Sequence, residues 1–187
     1  MELFYLKQIL EGNTSCFSYF IEKYKHMAFS IAFQITNNKE DAEEAVQDAF
    51  LKAFKCLKTF RQEAKFSTWL YKIVVNTSIT KLNRKRNFIQ DIDVSNMPDV
   101  AIENIEEVYK SLEDAGRKKL IGEALQELIM EDRLLLTLYY LNENSIDEIT
   151  GITGIKPENV KMKLHRARKK LYAMLEKKLH TELKNIL

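Results

Sequence analysis

Apolar residues return every three or four positions along most of the chain, and they nowhere alternate with polar ones for a useful length. That period belongs to helices packed on one side, so the expected fold class is all-α. Leu3, Leu6, Ile9 and Leu10 mark a short first helix that Gly12-Asn13 should stop. Thr14 or Ser15 is placed to cap a second helix over residues 16–35. Its apolar stripe is expected to hold Phe17, Phe20, Ile21, Tyr24, Ala28, Ile31 and Phe33. Thr36-Asn37-Asn38 breaks this helix. Asn38 then caps a third, whose first turn carries Glu40, Asp41, Glu43 and Glu44, where the helix dipole favours anions. The third helix continues through Val46, Ala49, Phe50, Ala53, Phe54 and Leu57. After a polar loop from Arg61 to Lys65, a fourth helix starts near Ser67 and passes Trp69, Leu70, Ile73 and Val74. It ends in a basic run from Lys81 to Arg86.

Residues 88–99 lose the period and contain Pro98, which reads as linker. Ile105, Val108, Tyr109 and Leu112 restore helical spacing within residues 101–112, so the tether is expected to be partly helical. Helices are expected again over residues 118–129 and 131–141. Ser145 and Glu148 have the spacing of a capping box, opening a short helix with Ile146 and Ile149 facing inward. Gly151 to Gly154 is expected to form a tight turn, and Pro157 suits the first position of the next helix, where no backbone N–H is needed. Val160, Leu164, Ala167, Leu171 and Leu175 then form one stripe, and Lys156, Lys161, Lys163, His165, Arg166, Arg168, Lys169 and Lys170 occupy the other faces.

Charge sharpens this division. Residues 1–90 carry 14 Lys and Arg against 9 Asp and Glu, and residues 116–187 carry 14 against 10. Between them, residues 91–115 carry 8 acids against the single Lys110. Two basic domains, 1–90 and 116–187, thus flank an acidic linker, 91–115, and the blocks point to a polyanionic partner. Cys16 and Cys56 are expected to be core thiols in a reducing cytosol. The N-terminus lacks a basic start followed by an apolar stretch, and no apolar run approaches the length of a membrane span. Cytoplasmic location without membrane insertion is the expectation. His26, His165 and His180 have no acid or nucleophile at usable spacing, and there is no phosphate loop or metal-ligand cluster. No enzyme activity, cofactor or metal is therefore expected.

A capped short helix, a glycine turn and a basic second helix suit a helix-turn-helix, whose second helix enters the major groove. Asn159, Lys163 and Arg166 are placed to face DNA. Segment 66–76 combines Phe66 and Trp69 with Lys72 and Asn76, and Lys81, Arg84, Lys85 and Arg86 follow. Aromatics beside cations suit single-stranded bases, although Phe66 and Trp69 taken alone suit a core.

In order, DAEEAVQDAFLKAF (41–54), FSTWLYKIVVN (66–76) and SIDEITGITGIKPENVKMKLHRARKKL (145–171) resemble the extracytoplasmic-function sigma factors of bacterial RNA polymerase. The resemblance covers nearly the whole chain. It implies a sigma2-like helical bundle and a sigma4-like helix-turn-helix, with RNA polymerase core (clamp helices and flap) and promoter DNA as partners. It also implies restraint by an anti-sigma factor. Glu44, Gln47 and Asp48 match the positions that dock on the clamp helices of the largest subunit. The segment from Arg61 to Arg86 would recognise and open the −10 element. In it the loop from Arg61 to Lys65 cups a flipped base beside Asn76, Trp69 and Lys72 belong to the same surface, and Arg84 and Arg86 hold the backbone. Lys156, Asn159, Lys161, Lys163 and Arg166 would serve the −35 element. Thr80 stands where the family usually has Asp, and Met162 and Lys163 where it usually has Ser and Arg.

Residues alone leave two other readings open: a helix-turn-helix regulator that acts without core polymerase, and a helical adaptor that contacts only proteins. The linker is expected to be long enough to bridge two promoter elements about 70 Å apart. Its acids, from Asp91 to Asp114, are expected to act as a displaceable mimic of nucleic acid.

Overall fold

A computed structural model describes the backbone of residues 1–86 and 115–186, and the side chains of residues 1–84 and 119–178. The linker and its expected helix over residues 101–112 lie outside the described residues. The chain divides into two compact units, one of Met1–Gln90 with Gly151–Gly154 and the other of Asp91–Thr150 with Ile155–Leu187. Among the described residues every regular element is helical.

The first unit contains α1 (Glu2–Leu10), α2 (Ser18–Thr36), α3 (Lys39–Cys56) and α4 (Phe66–Arg86). Helices α2, α3 and α4 pack on one another in a three-helix bundle. Its core takes Phe20, Ile31 and Ile35 from α2, Ala42, Ala45, Ala49 and Ala53 from α3, and Leu70 and Val74 from α4. The alanine row lets α3 approach its neighbours closely, because no side chain beyond Cβ separates the backbones. The Asn38 side chain accepts from the Asp41 backbone N–H, so the expected cap of α3 is present. Asn37 closes α2 in the left-handed region at φ 51°.

Glu2 fastens α1 to α2. Its Oε1 accepts from Lys23 Nζ and from the Tyr24 hydroxyl, each at 2.5 Å. Burial raises the Glu2 carboxyl, but the hydrogen bonds from Lys23 and Tyr24 outweigh it and hold the group below the usual carboxylate range. Burial and the bond to Glu2 push the Tyr24 hydroxyl far above its ordinary value, and burial pushes Tyr71 up to about 12. Both phenols therefore stay protonated.

Several details differ from expectation. Neither Thr14 nor Ser15 caps α2. A 3₁₀ turn over Thr14–Phe17 precedes it, in which the Ser15 hydroxyl donates to Asn13 Oδ1 and the Ser18 hydroxyl donates to the Ser15 carbonyl. On α2, Ile21 is exposed and Phe33 half-buried, whereas Ala32 and Ile35 are buried. The 3.6-residue period that runs through Phe20, Tyr24, Ala28, Ile31 and Ile35 carries Ile21 and Phe33 off the buried face. Phe54 lies at the edge of the α3 core face, exposed yet 5.1 Å from the Phe17 ring. Cys16 and Cys56 are not core thiols: Cys16 is half-buried, and Cys56 is exposed at the end of α3.

In the second unit α5 (Ala115–Glu127) and α6 (Met130–Leu136) both pack against α8 (Pro157–Ile186). The expected helix over residues 131–141 is interrupted, since α6 passes into a π-helical turn over Thr137–Leu141. Arg133 Nη1 donates to the carbonyls of Gln126 and Leu128, both at 3.3 Å, and so satisfies groups that the end of α5 leaves open. Desolvation lowers the Arg133 pKa, yet a guanidinium stays charged. Helix α7 (Ile146–Thr153) precedes α8.

Candidate nucleic-acid interface

The helix-turn-helix is set by local chemistry. The Ser145 backbone N–H donates to Glu148 Oε2 at 2.8 Å, and the Glu148 N–H donates to Ser145 Oγ at 3.2 Å, a reciprocal capping box. Ile149 and Ile152 are buried, while Ile146 is only half-buried. Gly151 falls inside α7 rather than in the turn, because α7 continues to Thr153. Gly154 alone makes the turn in the left-handed region, at φ 76°. Pro157 opens α8 as expected, and Val160, Leu164, Ala167, Leu171 and Leu175 are all buried.

That stripe leaves Lys156, Asn159, Lys161 and Arg166 exposed. Met162 is 45% exposed, so it does not fill the interior. Lys163, expected to face DNA, has its Nζ donating to Glu131 Oε2 at 2.6 Å. Lys170 and Lys178 are likewise engaged, with Asp132 at 2.7 Å and Glu127 at 2.7 Å. The acids of α5 and α6 thus divide the cations of α8 into a neutralised set and an open set.

On α3, Glu44, Gln47 and Asp48 lie at i, i+3 and i+4, and all are exposed. Leu51 extends the same row at i+7 and is 58% exposed. The sequence reading names it neither in the apolar stripe nor among the site residues. On α4, Lys72, Asn76, Thr80, Asn83 and Arg84 follow one exposed stripe, headed by the half-buried Trp69. Asn83 was not anticipated; only the phase of the helix brings it onto this face. The Thr80 hydroxyl donates to the Asn76 carbonyl at 2.7 Å, which satisfies it within the helix. Arg61 and Lys65 are exposed in the loop before α4. The side chain of Arg86, the last residue of α4, lies outside the described set.

The loop hangs from an aromatic anchor. The Phe60 ring lies 5.3 Å from Trp69 and 5.5 Å from Phe66, and Phe66 reaches Phe20 of α2 at 4.3 Å. Phe66 is therefore a core residue, whereas Trp69 keeps part of its face to solvent. Gln62 occupies the left-handed region at φ 60° within this loop.

Residues 20–88 match the model of sigma-70 region 2, and residues 118–171 match that of sigma-70 region 4. The RNA polymerase sigma factor SigV of Bacillus subtilis is 32% identical over 157 residues, 84% of this chain and 89% of that protein. The chain belongs to the sigma-70 family of RNA polymerase sigma factors. It falls in the extracytoplasmic-function branch. The ECF RNA polymerase sigma factor SigW of Bacillus subtilis is 28% identical to it over 182 residues, 91% of this chain and 94% of that protein. Two solved structures share the fold. RpoE of Bartonella quintana, in complex with the anti-sigma factor NepR, has a TM-score of 0.68 at 21% identity, covering 86% of this chain and 96% of that one. CnrH, in complex with the cytosolic domain of CnrY, has a TM-score of 0.65 at 22% identity, covering 92% and 96%.

This sigma factor is accordingly a promoter-recognition subunit of RNA polymerase and not an enzyme. The region 2 match spans α2 to α4, and the region 4 match spans α5, α6, α7 and the first half of α8. Among the described residues, no helix is long and apolar enough to cross a membrane.

Proposed function

We propose that three surfaces divide the work of this sigma factor. The row of Glu44, Gln47 and Asp48 docks on the clamp helices of the polymerase's largest subunit. The segment from Arg61 to Arg86 recognises and opens the −10 element. Arg61 and Lys65 border the pocket for a flipped base, Trp69, Lys72 and Asn76 contact unstacked bases, and Arg84 and Arg86 hold the backbone. Extracting a base costs a few kcal/mol, so the aromatic face and nearby cations must offset it. The helix-turn-helix reads the −35 element, with Asn159, Lys163 and Arg166 toward bases and Lys156 and Lys161 toward phosphates.

The observation that carries this reading is the separation of faces within the first unit: an exposed acidic row on α3 and an exposed basic, aromatic-headed row on α4. One row suits a protein, the other a polyanion. The domains follow as 1–90 for core docking and the −10 element, 116–187 for the −35 element and the polymerase flap, and 91–115 as the acidic linker, a displaceable mimic of nucleic acid. The protein works in the cytoplasm, with its polymerase. An anti-sigma factor restrains it, a partner suggested by the NepR complex of the Bartonella relative. The test measures core affinity and promoter opening separately. Alanine at Gln47 and Asp48 should lower the first, and alanine at Lys72 and Asn76 the second. Variants that move both quantities together would contradict the division.

A further inference from the structure

Three consecutive residues at the start of α6 are each tied down. Glu131 accepts from Lys163 at 2.6 Å, and the 4%-exposed Asp132 accepts from Lys170 at 2.7 Å. Arg133 donates to two carbonyls at the end of α5. At the other end of the first pair, Lys163 sits between the buried Val160 and Leu164, which fix its place on α8. Asn159, Lys163 and Arg166 fall at i, i+4 and i+7, one row of the helix, with Asn159 and Arg166 exposed. Lys163 is the member of that row whose ammonium is held by an acid of α6.

We infer that Glu131 is a positioning residue, which pins the Lys163 ammonium so that Lys163 reads one base pair of the −35 element and does not wander to phosphates. The inference rests on the proposed reading of Lys163 as a base contact. A lysine is a compact charge on a flexible four-carbon stem, so an unheld ammonium takes whatever acceptor is near, and phosphates are the most abundant. An ammonium has three donors, and one is used on Glu131. The other two suit paired acceptors, which the major groove offers as O6 and N7 of guanine. The Glu131 carboxylate also repels phosphate. The pair therefore gives a lysine part of the directional definition that an arginine fork has by its own geometry.

The test uses the full chain with core polymerase on promoters randomised in the −35 element, at two salt concentrations, comparing the native protein with E131Q, E131D and K163A. The native holoenzyme should prefer guanine at one position, and K163A should abolish that preference. E131Q should flatten it by about fivefold or more, and steepen the salt dependence by about one unit of log–log slope as Lys163 gains a phosphate. E131D should restore most of the preference. If K163A flattens the preference but E131Q scales all affinities together and keeps the ranking, Lys163 is a reader and the positioning role is overturned. If K163A leaves the preference intact, the reading of Lys163 fails and the inference fails with it.

Discussion

The Glu44 carboxylate and the Lys81 ammonium stand 2.5 Å apart, joining α3 to α4 where the acidic row of one helix meets the basic end of the other. Glu44 remains mostly exposed, whereas Lys81 is largely covered. The residue proposed to dock on polymerase thus also holds a cation of the proposed −10 surface. A partly exposed pair of this kind contributes about 0–1 kcal/mol to stability. Glu44→Ala should therefore shift the melting temperature by only a few degrees while lowering core affinity about tenfold. Undiminished affinity in a core-binding titration would remove Glu44 from the docking row.

The turn of the helix-turn-helix allows a second prediction. Gly154 has φ 76°, and a Cβ added there would meet no atom within 4 Å. Any cost of Gly154→Ala is then backbone strain alone, about 1–2 kcal/mol. Ser145→Ala, which removes one half of the capping box, should cost about 1 kcal/mol. Denaturant titrations of both variants check these values. A neutral Gly154→Ala would mean that the turn relaxes.

Most of this architecture is legible in the sequence wherever the signal is local. Ser145 and Glu148 sit three residues apart, and the stripe from Val160 to Leu175 repeats with the helix, so both follow from spacing. The α2 cap is not legible, because Ser15 and Ser18 spend their hydroxyls on other groups in the 3₁₀ turn. Nor is the π-helical turn over Thr137–Leu141, which no composition signal marks. The ion pairs that qualify the site are the least visible. Lys163 and Glu131 are 32 residues apart, so only the packing of α6 on α8 brings them together. Leu51 is hidden for the opposite reason, as an apolar residue on a helix face that the fold leaves open.

Titration of the α1 anchor gives a third prediction. The Glu2 carboxyl titrates below its ordinary value of 4.5 in the folded protein, so its contribution is present above that pH and is lost as pH falls through the lower folded value. Lys23 titrates above 10.5, chiefly through its bond to Glu2, so its contribution is present below that pH and is lost as pH rises past the raised value. Glu2→Gln should cost about 1 kcal/mol near neutrality. The difference from the native protein should shrink on acidification below about pH 4.5. Stability curves for the two proteins that stay parallel into acid would refute this account of α1.

The open cations at the start of α8 and just before it give a fourth. Lys156→Ala and Lys161→Ala should each lower the slope of log affinity against log salt by about 0.9 on promoter DNA, with little change in sequence preference. Lys170→Ala, whose ammonium is already bound to Asp132, should leave that slope unchanged. Holoenzyme binding at several salt concentrations distinguishes the two groups.

The central claim is that this chain confers promoter recognition on RNA polymerase through an α3 row that docks and an α4 row that opens DNA. Run-off transcription from candidate promoters, with core polymerase alone, with the native protein and with the Lys72 and Asn76 alanine variants, tests it most directly. Core alone should give no specific transcript, the native protein should give one of defined length, and the variants should bind core but yield little transcript. A native protein that binds core yet supports no initiation, or variants that initiate as well as it does, would contradict the account.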